Sequence, residues 1–207
     1  MTDSYFSELL VATRNPGKIL ELESLLGMLR LRLRSLAEFP SIPEVDETGT
    51  TFTENAVLKA VSYARQSKLW TLADDSGLEV EALGGAPGVY SARYAGPTAT
   101  DAERVTLLLE ELSRTNDRER RARFVCVIAI AAPDGEVAHV EQGTCDGHLS
   151  HAPRGSGGFG YDPIFIPDGY SQTFGELPAE IKQSISHRAR ALKAASAFLR
   201  QHLEGLA

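Results

Sequence analysis

Four short stretches of the chain combine residue types that handle phosphates, divalent metals and flat aromatic bases. The first is Ala12 to Lys18 (ATRNPGK), placed between an apolar run and a helical one. Backbone N–H groups at a helix N-terminus, aided by the helix dipole, favour an anion, and Lys18 one turn in adds a point charge at phosphate reach. A capped helix with a solvated lysine accounts for the same residues. The stretch is not a Walker A loop, because the first glycine is missing and Ile19 stands where Ser or Thr should bind magnesium. Carboxylates make the second set: Asp74 and Asp75 follow the apolar run Leu69 to Ala73, with Glu47 and Glu54 before them. Magnesium prefers carboxylate oxygens, usually one or two, and leaves its other positions to water and substrate phosphates. The end of an α/β strand is where such ligands are expected. Asp74-Asp75-Ser76-Gly77 is equally good turn chemistry.

The third stretch is Gly155 to Asp162 (GSGGFGYD). Its glycines let backbone approach a ligand closely, and Phe159 and Tyr161 offer faces for a purine, worth about 1–3 kcal/mol per stacked base. A surface loop whose Phe159 plugs the core is the structural alternative. The fourth is Lys182 with Ser184 to Arg190 (SISHRAR), where donors of His187 and Arg188 adjoin a helix start and could converge on a carbonyl or phosphate oxygen. Helix capping by Ser184 or Ser186 competes with that reading. His139, His148, His151 and His202 show no metal-ligand spacing. No GxSxG elbow occurs, and neither Cys126 nor Cys145 carries a nucleophile signature, so covalent catalysis is unsupported.

These stretches must be positioned by alternating elements. Glu8 to Ala12 reads as a buried strand, and a helix follows with Asn15 as N-cap, Pro16 at its first position, and Ile19, Leu22, Leu25 and Leu26 at helical spacing up to about Gly27. Leu31 to Leu36 suits a half-exposed strand, Pro40, Pro43 and Gly49 mark a loop, and Thr51 to Lys68 resumes helical periodicity. Leu69 to Ala73 reads as a strand closed by the Asp-Asp-Ser-Gly turn, and Leu78 to Leu83 as a second one before the turn-rich GGAPG. Thr100 to Leu112 is helical, and Arg114 to Arg121 a solvated connection. Phe124 to Ala132 and Val137 to Cys145 flank Pro133-Asp134-Gly135 as a hairpin. Tyr161 to Ile166 is a short apolar piece, and Ala179 to Leu203 a helical tail broken near Ser184 to His187. Strand, turn and helix in alternation give an α/β fold. No repeat or linker interrupts it, so residues 1–207 read as one unit, with two lobes compatible.

The whole chain of 207 residues carries 21 Lys+Arg against 28 Asp+Glu, a net charge of -7 that gives no bulk attraction to nucleic acid or anionic lipid. No apolar run approaches the ~18 residues of a membrane span. The start MTDSYFSELL lacks the basic and apolar regions of a leader, and the two cysteines lack CxxC spacing; both fit a reduced, cytoplasmic protein.

Taken together, ATRNPGK, ETGTTFTENAVLKA (47 to 60), ADDSGLEVEALGGAPGVYSARYAG (73 to 96), GGFGYDPIF (157 to 165) and KQSISHRARAL (182 to 192) resemble the inosine triphosphate pyrophosphatase family, in its order and over nearly the whole chain. The match to the family's bacterial dITP/XTP pyrophosphatases is close. The resemblance implies an α/β fold with a long mixed sheet flanked by helices, two lobes with a central nucleotide cleft, and a homodimer. It implies hydrolysis of ITP, dITP and XTP to the monophosphate and pyrophosphate, with Mg²⁺ as cofactor. Carried over by motif, the metal carboxylates fall on Glu47 and Asp75 and the catalytic base on Asp75. The substrate contacts fall on Thr13, Arg14, Asn15, Pro16, Gly17, Lys18, Ser76, Phe159, Gly160, Tyr161, Asp162, Lys182, His187 and Arg188. Donors from His187 and Arg188 would satisfy the 6-keto oxygen of hypoxanthine or xanthine, whereas the amino group of adenine would leave them unpaired. Three rivals remain: a Maf-like pyrophosphatase for modified pyrimidine or methylated nucleotides, a nucleotide sensor without turnover, and a nucleic-acid-binding sheet protein.

Overall fold

A computed structural model of the chain describes residues 7–27 and 31–203. Residues 1–6, which form most of the start read above for a leader, lie outside that range. The described strands are β1 (Glu8–Val11), β2 (Arg32–Ser35), β3 (Trp70–Val80), β4 (Arg121–Ala131), β5 (Val137–Leu149) and β6 (Phe165–Pro167). The helices are α1 (Pro16–Leu26), α2 (Phe52–Ser67), α3 (Asp101–Ser113), α4 (Ala179–Ile185) and α5 (His187–Leu203). The strands form one sheet in the order β2-β1-β3-β4-β5-β6. β1 runs parallel to β2 and β3, while β5 and β6 are antiparallel, so the expected mixed α/β sheet is found. Among the described residues no helix is long and apolar enough to cross a membrane.

The chain divides into two compact units. The first comprises residues 1–75, 126–143 and 188–207, and the second residues 76–125 and 144–187. In the first, Leu22 and Leu26 of α1 and Ala191, Leu192, Ala195 and Leu199 of α5 bury against Leu9, Val11, Leu72, Ile128 and Ile130 of the sheet. In the second, Val105, Leu108 and Leu112 of α3 join Leu78, Val80, Phe124, Phe165 and Phe174. These helical residues recur at three- and four-residue spacing, so one face of each helix is apolar. The starts of α1, α2 and α3 are also specified locally. Asn15 accepts from the Gly17 and Lys18 N–H groups, and Thr51 with Glu54 and Thr100 with Glu103 form reciprocal capping boxes.

Two expectations are overturned. Asp74-Asp75-Ser76-Gly77 is not a turn: β3 runs unbroken for 11 residues through it and ends at Val80, before a 3-10 turn at Glu81–Leu83. Asx turns form when a short polar side chain bonds its own backbone, and here both aspartates are buried and bonded to distant cations instead. The charged run before β4 is not wholly solvated either. Arg120 is buried at φ 54°, with Nε donating to the Leu149 carbonyl at 2.9 Å and Nη2 to that of Ser150 at 3.0 Å. The hairpin turn is as expected: Gly135, at φ 88°, donates to the Ala132 carbonyl at 2.8 Å. The helical tail breaks at Ser186, which caps α4.

Leu108 has no exposed surface. Leu108→Ala should lower stability by about 2–5 kcal/mol, read as a lower denaturant midpoint at unchanged m-value. A midpoint unmoved by the substitution would contradict the packing of α3.

Candidate functional site

In the first unit, five side chains from distant segments meet around the inner stretch of β3. Asp74 and Asp75 are consecutive in a strand, so they face opposite sides of the sheet, and each collects its own cations. Asp74 is fully buried; its Oδ2 lies 2.9 Å from Lys18 Nζ and 3.3 Å from Arg188 Nη2. Arg188, at the start of α5, is also paired with Glu21 of α1. Burial alone would raise the Asp74 carboxyl, but Lys18, Arg188 and Lys59 together hold it well below the usual carboxylate range. Burial alone would lower Arg188, but Asp74, with Cys126 and Glu21, raises it.

Asp75 meets the other arrangement. Lys59 of α2 places Nζ 2.6 Å from Glu47 Oε1 and 3.1 Å from Asp75 Oδ1. Burial raises the Asp75 carboxyl, and the opposing pull of Lys59 and Lys18 does not cancel it, because Glu47 stands nearby with the same charge. Lys59 is raised despite burial, since three carboxylates, Asp75, Asp74 and Glu47, surround it. A carboxylate lifted in this way is a better proton acceptor than an ordinary surface aspartate. Glu54 stands apart from this set: it is exposed and spends its carboxylate on capping α2.

The donor set fits a hard divalent cation. Glu47 and Asp75 already converge on one positive charge, Lys59 Nζ, and Asp75 Oδ2 is buried without a hydrogen-bond partner. Among the described residues no group of three or more His, Cys, Asp or Glu could hold a metal. Two carboxylates completed by substrate phosphates is the usual magnesium arrangement, in contrast to an all-protein calcium cage.

The loop before α1 settles in part between its two readings. Asn15 Oδ1 takes the Gly17 and Lys18 N–H groups at 2.9 and 3.2 Å, so the cap is real. The lysine, however, is not solvated; it is drawn inward to Asp74. Thr13 Oγ1 accepts from the Asn15 N–H at 3.2 Å, Arg14 Nη2 donates to the Ile42 carbonyl at 3.2 Å, and Arg14, Asn15 and Pro16 remain exposed.

In the second unit, the glycine loop closes on Asp162. Asp162 Oδ2 accepts from the Phe159 N–H at 2.8 Å and pairs with Lys182, whose Nζ lies 4.8 Å from the Phe159 ring centroid. Gly158 sits at φ 71°, where a Cβ would collide with that carboxylate. Phe159 and Gly160 are half-buried, and Asp101 Oδ2 accepts from the Gly160 N–H at 2.6 Å. The expectation for Tyr161 is corrected: its ring is buried in the core and its hydroxyl donates to the Ser91 carbonyl at 3.0 Å, so it offers no face to a base. Burial pushes that phenol up. Ser76 follows Asp75 on β3 and is half-buried, while His187 is 4% exposed and stacks on Phe124.

Sequence reasoning missed Lys59, Glu21 and Asp101. Lys59 left a signal: with Asn55 it is polar on the face of α2 that buries Phe52, Ala56, Ala60 and Tyr63. Glu21 and Asp101 left none, since both are ordinary polar residues in a first or second helical turn.

Asp74→Asn should cost about 3 kcal/mol at neutral pH, because Arg188 and Lys18 stay buried with less compensation. A carboxyl depressed on folding contributes stability that is present above its unfolded value, about 3.9, and lost as pH falls toward the folded one. Denaturant midpoints of the metal-free protein and the variant should therefore converge below about pH 4; a constant gap would contradict the pairing.

Comparison with known proteins places this geometry in context. Residues 9–198 match the family model described as Ham1 family. A dITP/XTP pyrophosphatase of Geobacillus kaustophilus is 50% identical over 185 residues, covering 89% of this chain and 90% of its own. One from Exiguobacterium sp. is 48% identical over 198 residues, covering 96% and 100%. The structure of a HAM1 protein from Coxiella burnetii superposes with a TM-score of 0.87 at 44% identity, covering 95% of this chain and all of that one. Matched along almost its full length by sequence and by fold, the chain belongs to the Ham1 family.

Proposed function

We propose that the protein hydrolyses non-standard purine nucleoside triphosphates, ITP, dITP and XTP, to the monophosphate and pyrophosphate, with residues 1–207 acting as one pyrophosphatase domain. The observation that carries the reading is the Asp75 carboxylate, raised by burial, sharing Lys59 with Glu47 while its second oxygen has no partner. The relatives named dITP/XTP pyrophosphatase support the substrate class.

In this reading Glu47 and Asp75 hold magnesium, which when bound supplies Lewis-acid neutralisation of phosphate oxygens. Asp75 Oδ2 accepts the proton of the water that attacks the α-phosphorus, and pyrophosphate leaves. Lys18 and Lys59 are the ammonium groups that neutralise charge on the departing oxygens, the electrostatic contribution that dominates phosphoryl chemistry. Asp74 holds Lys18 in place through the ion pair at 2.9 Å. Thr13 to Lys18 and Ser76 contact the phosphates and sugar. Phe159 supplies the stacking face, Asp162 and Lys182 hold that face in place, and His187 reads the 6-keto oxygen. Arg188, already bonded to Asp74 and Glu21, contributes through Asp74 as well as through any donor it turns to the base. A cytoplasmic homodimer is the assembly that goes with this proposal.

Pyrophosphate release from ITP, XTP, dITP, GTP, ATP and dTTP, with and without Mg²⁺, tests substrate class and cofactor together. The expected result is strong preference for ITP, dITP and XTP over ATP and dTTP, abolished by chelator. Equal turnover of dTTP would favour the Maf-like alternative, and nucleotide binding without release would favour a sensor.

Asp75→Asn should reduce kcat by about 10² or more with an unchanged denaturant midpoint or a higher one, since it removes a carboxylate that burial disfavours. A folded variant with near-normal turnover would remove Asp75 from the base role.

A further inference from the structure

Phe124 lies on β4, outside every stretch that carries a proposed substrate contact, and only 6% of it is exposed. Its ring lies parallel to the His187 imidazole, with centroids 4.6 Å apart and planes 12° apart. Its other neighbours are Phe165, at 4.6 Å and tilted by 55°, and Phe174, at 6.2 Å and 28°. Phe174 in turn lies 5.7 Å from Lys182 Nζ, the same ammonium that covers Phe159. One aromatic block of the second unit thus supports both groups assigned to the base, the phenyl face through Lys182 and the imidazole directly.

A buried imidazole held flat against a parallel ring cannot rotate about χ2 without driving its edge into that ring. The directions in which Nδ1 and Nε2 make hydrogen bonds are then fixed. Discrimination between a keto acceptor and an amino donor depends on that fixed direction, because a ring free to turn could satisfy either. We infer that Phe124 is a positioning residue for base selection: by stacking on His187 it fixes the imidazole in the orientation that distinguishes hypoxanthine from adenine. The inference rests on the proposed pyrophosphatase reading and deepens it by assigning selectivity to a residue that touches no nucleotide.

Phe165→Leu supplies the control, since Phe165 is fully buried in the same block and packs on Phe124 and Phe174, whereas the ring stacked parallel on His187 is that of Phe124. Phe124→Leu and Phe165→Leu remove the same atoms. The specificity constants for ITP and ATP are measured for both variants and for the unaltered protein. Phe124→Leu should lower kcat/KM for ITP about tenfold, mainly through KM, and leave that for ATP nearly unchanged, so that the ITP to ATP ratio falls about tenfold. Phe165→Leu should keep the ratio. Equal ratios in the two variants overturn the inference. A second measurement needs no substitution of the block: in the unaltered protein, the His187 ring protons, assigned by their loss in His187→Asn, should be shifted by the Phe124 ring current. Unshifted resonances overturn the stacking. An unaltered protein with no preference for ITP over ATP overturns the functional reading itself, whereas a preference that survives Phe124→Leu overturns only the role of Phe124.

Discussion

The first unit is organised around a fully buried carboxylate. Asp74 sits in the middle of β3 with no exposed side-chain surface, and an ionised group in that position is tolerable only if cations come to it. Lys18 from α1 and Arg188 from α5 do so, and Glu21 completes the charge around Arg188. Meeting that requirement fixes where α1 begins and where α5 begins, since each helix must deliver a cation to one oxygen atom. The apolar faces of the same helices then close over β1, β3 and β4. Charge pairing sets the register, and hydrophobic burial supplies the main driving force.

One residue along the strand, the same physics produces the opposite outcome. Asp75 shares its lysine with Glu47, so attraction falls short of the cost of burial and its carboxyl is raised rather than lowered. Two adjacent aspartates thereby acquire different chemistry: one remains a permanent anion that holds cations in place, the other a carboxylate suited to accept a proton. Alternation along a β-strand is the geometric cause, because neighbours face opposite sides and meet different partners. The second unit repeats the pattern of a buried acid as organiser. Asp162 gathers the Phe159 backbone and Lys182, and the positive φ of Gly158 lets the loop wrap tightly enough for those bonds to form.

Much of the fold was readable because its signals are local. Asn15-Pro16, Thr51 with Glu54 and Thr100 with Glu103 specify helix starts within four residues, and Asp134-Gly135 specifies a hairpin turn within two. The apolar periodicity of α1, α2 and α3 then follows from the need to bury one face. The candidate site residues were legible as residue types and as motifs resembling a known family. Their partners were not. Lys59 betrayed itself only as a charge on an apolar helix face, and Glu21 and Asp101 lie 167 and 59 residues from the groups they bind.

What the sequence determined alone is therefore the list of elements, the places where helices begin, and the identity of the groups able to handle phosphate, metal and base. Only the tertiary structure decided that Asp-Asp-Ser-Gly continues a strand, that Lys18 turns inward, that Tyr161 belongs to the core and that Phe124 lies under His187. The reason is the same each time. Each placement depends on a partner remote in the chain that local propensity does not encode: cations for the two aspartates, Asp74 for Lys18, the Ser91 carbonyl for Tyr161 and the His187 ring for Phe124.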